Sequence, residues 1–151
     1  MSSALVVGSW QLQSIPPGWD VLPGFGIRRA ADGSFPSMLL MAEEPLPSQT
    51  TLDRYIANQV GAAKVLFKQP KIKGPDPASI PEAIEAQRLG ISYRSADGRN
   101  VVQLQFYATD GILVGNVTFT TIEEELPNLS DTLRNILGNL RFKPSPARPP
   151  S

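Results

Sequence analysis

The sequence predicts an α+β domain with a largely antiparallel sheet. Three observations predict it: apolar runs of strand length follow one another, tight Asp-Gly turns separate the later ones, and only two stretches carry helical periodicity. One of those stretches is mid-chain and the other is terminal. Two helices suffice to cover one face of such a sheet, not both.

Taken in order, Trp10–Ile15 alternates as a strand and stops at Pro16-Pro-Gly-Trp19, a turn whose tryptophan anchors it to the core. Phe25–Ala30 is a second strand ending at the turn 31–34, and Ser37–Pro45 is a third. A helix follows. Thr50 is placed to cap it, Asp53 sits three residues on, and Leu52, Tyr55, Ile56, Val60, Ala63 and Phe67 recur at helical spacing up to Pro70. Lys71–Pro81 is rich in proline, which suits a strand at an edge or an irregular segment. Ala83–Tyr93 and Asn100–Tyr107 flank the turn Ser95–Gly98 as hairpin arms, and Ile112–Thr121 follows the turn Thr109–Gly111. The last helix is expected from Ser130, with Leu133, Ile136, Leu137 and Leu140 as its apolar stripe, extended by Leu129. Residues 1–143 thus read as one domain, and 144–151 as a proline-rich mobile tail.

Composition removes much chemistry. Lys plus Arg and Asp plus Glu are 14 each, so no net basic field attracts nucleic acid or anionic lipid. With no cysteine and no histidine, the sequence has no thiol nucleophile, no thiolate or imidazole metal ligand, and lacks the commonest general base. Glu43 and Glu44 are adjacent on a strand and point to opposite faces, and Glu123–Glu125 reads as a solvated charge run. No enzyme, cofactor or metal is expected. Met1–Gly8 lacks the basic region and apolar length of a signal peptide, and no apolar run approaches the ~20 residues of a membrane span. The expectation is a soluble cytoplasmic protein that does not insert into membranes.

The strand faces carry the functional question. In Asn100–Tyr107, Val102, Leu104 and Phe106 share a core face, while Val101, Gln103, Gln105 and Tyr107 share a mixed one. Ser37–Pro45 is apolar on both faces, and Leu39 and Met41 are expected on the mixed face, beside Gln105. Periodicity alone leaves three fates open for these residues: core, dimer interface or partner groove.

The lead-in Ser14–Trp19 (SIPPGW), the strand Ser37–Met41 (SMLLM), the helix Leu52–Val60 (LDRYIANQV), the hairpin Asp97–Phe106 (DGRNVVQLQF) and the ending Val117–Leu133 (VTFTTIEEELPNLSDTL) together resemble DcrB-related proteins, and within them the Eag-type chaperones of type VI secretion effectors. The resemblance spans residues 8 to 143 and rests on the order of these segments. It implies a PsbP-like fold with a curved sheet and two helices on one face, a homodimer, and a concave sheet surface that shields the N-terminal transmembrane helices of an effector. By the same resemblance Gln59 and Gln105 match a client-contacting pair, and Ser37 and Leu39 match groove positions. Met41 departs from the pattern, standing where a small polar residue can occur. Phe25 and Ile27 align around Gly24 and Gly26, which interrupt that region. The function expected is a non-enzymatic chaperone or adaptor. The alternative is a general PsbP-like binding module for a folded protein.

Overall fold

The computed structural model describes residues 4–30 and 35–143; the expected turn at 31–34 and tail at 144–151 lie outside the described residues. The strands are β1 (Leu5–Val7), β2 (Trp10–Leu12), β3 (Trp19–Leu22), β4 (Gly26–Arg29), β5 (Met38–Pro45), β6 (Lys71–Pro77), β7 (Glu85–Arg94), β8 (Asn100–Thr109), β9 (Leu113–Ile122) and β10 (Leu140–Phe142). Helix α1 (Leu52–Leu66) follows β5, and α2 (Leu126–Gly138) follows β9 through a 3₁₀ turn at Glu123–Glu125. Seven strands form one antiparallel sheet in the order β3-β4-β5-β9-β8-β7-β6, and β1, β2 and β10 form a second. The α+β class and the antiparallel sheet are as the sequence predicts.

The helices divide between the two faces of the large sheet instead of sharing one. Strands β7, β8 and β9 each carry some buried apolar residues on both sides, so each side needs at least a partial cover. Leu52, Ile56 and Ala63 of α1 pack with Leu89, Ile91, Tyr107 and Val114 on one face. Leu129 and Ile136 of α2, with Trp10, Leu12, Leu140 and Phe142 of the small sheet, pack with Phe106, Ala108, Val117 and Phe119 on the other. The result is three layers: α1, the seven-stranded sheet, and α2 beside the small sheet.

The small sheet is held where β9 lacks a side chain. A Cβ at Gly115 would lie 2.5 Å from Phe142 and 2.8 Å from Trp10, so glycine alone lets those rings settle on the strand. The two rings tilt against each other at 4.8 Å between centroids, and the Trp10 indole N–H donates to the Ala42 carbonyl at 2.9 Å. Trp19 is buried, as its place in the turn predicts, and stands 6.2 Å from the Phe119 ring.

Helix boundaries shift from the expected ones for local reasons. The cap of α1 is Thr51, one residue later than expected, and its hydroxyl accepts from the Arg54 N–H at 3.2 Å. Asp53 instead accepts from Gln87 Nε2 and ties the helix to β7. Helix α2 starts at Leu126, ahead of the expected Ser130, because Pro127 falls in the first turn, where a missing N–H costs nothing. The proline-rich segment forms β6, an edge strand whose register with β7 shifts between Lys73 and Asp76.

Candidate binding face

Register assigns every strand residue to a face. Leu39 pairs with Phe119 and Met41 with Val117, and across β9 these pair with Leu104 and Phe106. Leu39 and Met41 therefore lie on the face that carries α2, opposite Gln105, and are 0% and 3% exposed. The expected neighbourhood of Leu39, Met41 and Gln105 does not form. Ser37 shares that buried face and bonds Thr121 across β5 and β9 at 2.8 Å, and Ile27 is sealed there too. Phe25, just before β4, is 67% exposed.

The neighbours of Gln105 come from the other register set of β5. Leu40 pairs with Thr118, and Thr118 with Gln105; Met38 pairs with Thr120, and Thr120 with Gln103. Across β5, β9 and β8 this gives a strip of aliphatic, hydroxyl and amide groups on the α1 face. Helix α1 does not close it: Leu40 is 38% exposed, and Met38, Thr118, Thr120, Gln103 and Gln105 are each half-buried. An exposed leucine flanked by threonines and amides can accept an apolar partner while staying wetted when free.

At the α1 end the strip deepens into a cleft of about 380 Å³, lined by Glu44, Tyr55, Gln59, Gln105, Tyr107 and Thr118 among others. Gln59 and Gln105, which the family resemblance matches as a pair, both line this cleft. Its polar groups are ordered by short links. The Tyr55 hydroxyl donates to Glu44, and the Tyr107 hydroxyl donates to Gln105 Oε1. Gln105 Nε2 in turn donates to Gln103 Oε1 at 3.2 Å, and the Thr118 hydroxyl donates to Asn116 at 2.7 Å. The two tyrosine rings meet edge to face at 6.1 Å. Burial pushes the Tyr107 phenol up to about 12. Burial, followed by the bond to Glu44, also raises Tyr55. Both phenols are thus neutral donors at neutral pH. The cleft offers fixed amides, phenols and a carboxylate, an arrangement suited to holding a partner.

Elsewhere, Glu125 of the acidic run pairs with Arg29 at 3.2 Å, linking the 3₁₀ turn to β4. Among the described residues, no cluster of three or more His, Cys, Asp or Glu could hold a metal, and no helix is long and apolar enough to cross a membrane. The residues that reasoning from sequence missed are Met38, Leu40, Glu44, Tyr55, Thr118 and Thr120. The alternation Asn116, Thr118, Thr120 against Val117 and Phe119 marks the mixed face of β9 in the sequence itself. No such mark exists within Met38–Ala42.

No family model matches the chain, and no curated protein matches it either. Solved structures do. LpqN of Mycobacterium tuberculosis, involved in cell envelope biogenesis, superposes with a TM-score of 0.71 at 20% identity, over 89% of this chain and 83% of that one. PA94 of Pseudomonas aeruginosa, a protein of unknown function for which a regulatory role has been suggested, gives 0.66 at 17% identity, over 87% and 90%. The cyanobacterial PsbP of Synechocystis gives 0.54 at 15% identity, over 94% and 97%. At these identities the likeness is one of fold. The chain has a PsbP-like fold.

Proposed function

We propose that this protein is a chaperone or adaptor that shields the N-terminal transmembrane helices of a type VI secretion effector on the strip beside α1. The observation that carries the reading is the row Leu40–Thr118–Gln105, apolar at one end, amide at the other, and left partly exposed beside α1. A transmembrane helix outside a bilayer exposes apolar surface along its length, and covering that surface is favourable by ~25 cal/mol per Å². Gln59 and Gln105 supply hydrogen bonds to polar atoms between packed helices. Leu40, with Met38 beside it, takes the aliphatic role that the resemblance implied for Leu39; Leu39 and Met41 sit on the buried face of the same strand. The reading makes the chain a non-catalytic homodimer.

Co-expression with the tagged N-terminal segment of a candidate effector tests it. Leu40→Glu and Gln105→Glu are expected to abolish co-purification while lowering the urea midpoint by only about 0.5 M, the small loss of a partly exposed site. Retention of the segment by both variants overturns the reading.

A further inference from the structure

A second groove lies on the opposite face, away from the strip. Helix α2 and the small sheet cover the β5–β9–β8 end of that face, and β7 and β6 extend beyond them. There a groove of about 660 Å³ is floored by Gly90, Ser92, Val102 and Leu104, with Leu126 at its side. Its rim carries Lys68, Lys71, Lys73 and Arg94, all exposed, against the single carboxylate of Glu123. The whole chain is neutral, so this excess of positive charge is local.

We propose that this groove docks an acidic peptide segment carrying interspersed apolar side chains. Charge complementarity selects an acidic occupant. The floor selects a peptide over a simple anion: Val102, Leu104 and Leu126 offer apolar contacts that a phosphate cannot use. Spacing agrees. Lys71 and Lys73 are two residues apart on one strand and pair with Ser92 and Gly90 in the floor, so both rise on the groove side. Their separation along the strand, ~6.8 Å, equals that between alternate carboxylates of an extended peptide. Nucleic acid is disfavoured because the charge is confined to one short rim instead of running along the surface.

The probe is a fluorescent peptide of alternating Glu and Leu, titrated into the full chain and followed by anisotropy. Binding is expected, weakening as salt rises, and Lys71→Glu/Lys73→Glu is expected to weaken it about tenfold or more with an unchanged melting temperature. A matched Lys-Leu peptide should not bind. Three results overturn the proposal: equal binding of the Lys-Leu peptide, wild-type affinity in the double variant, or equal competition by inorganic phosphate or a single-stranded oligonucleotide at matched charge. Leu40→Glu, which acts on the other face, should leave this binding intact, so the two readings fail separately.

Discussion

Truncating Leu39 and Leu40 in turn measures which side of β5 is closed. Leu39 is 0% exposed among Phe119, Ile27 and their neighbours, so Leu39→Ala removes a buried side chain and leaves a cavity, costing about 3 kcal/mol. Leu40 is 38% exposed, so only about three-fifths of its transfer energy is at stake and no enclosed cavity remains, giving about 1 kcal/mol. With a denaturant dependence of ~2 kcal/mol per molar urea, the midpoints should fall by about 1.5 M and about 0.5 M. Urea titrations followed by tryptophan fluorescence read both values, with a common slope as the check that only stability has changed. Equal losses for the two variants would refute the assignment of an open strip around Leu40. Equally small losses would refute the buried core on the other side.

Two further outcomes follow from packing and from titration. Gly115→Ala places a methyl 2.5 Å from Phe142 and 2.8 Å from Trp10, so the small sheet must shift at a cost of about 2 kcal/mol. A calorimetric midpoint lower by about 4–8 °C is expected, and an unchanged one contradicts the packing of those rings on β9. The Tyr107 phenol, raised to about 12 when folded, keeps its proton after the unfolded chain has lost its own near 10, so its contribution is complete below pH 10 and declines as pH rises toward 12. Its share of the decline is worth about 3 kcal/mol, and Tyr107→Phe should make the fall in unfolding titrations at pH 8 to 12 shallower by about that much, with the part due to the raised Tyr55 remaining. A variant with the full alkaline decline would assign the effect to other groups.

The hairpin β7–β8 and strand β9 were legible because Asp97-Gly98 and Asp110-Gly111 mark turns and the flanking residues alternate. The mixed face of β8 was legible for the same reason. The side on which β5 presents Leu39 was not, because Met38 through Ala42 contain no polar residue, and both alternating sets then reach a glutamate, Glu43 or Glu44. Its phase is set by pairing with β9, a contact between distant parts of the sequence. The division of the helices between faces was hidden similarly, since it depends on the apolar residues that β7 to β9 place on both sides acting together. Strands β1 and β10 are three residues each, too short for a periodic signal, and exist through pairing with β2.

That last pairing has a bearing on biosynthesis. Trp10 leaves the ribosome well before its ring partner Phe142 and the strand that borders β2, which follow about 130 residues later. Until then a large indole can rest on Gly115 and Ala42 but lacks the ring that covers its other side, and the nascent polypeptide leaves that side open. A product halted before β10 is therefore expected to be a substrate for quality control, however complete its seven-stranded sheet.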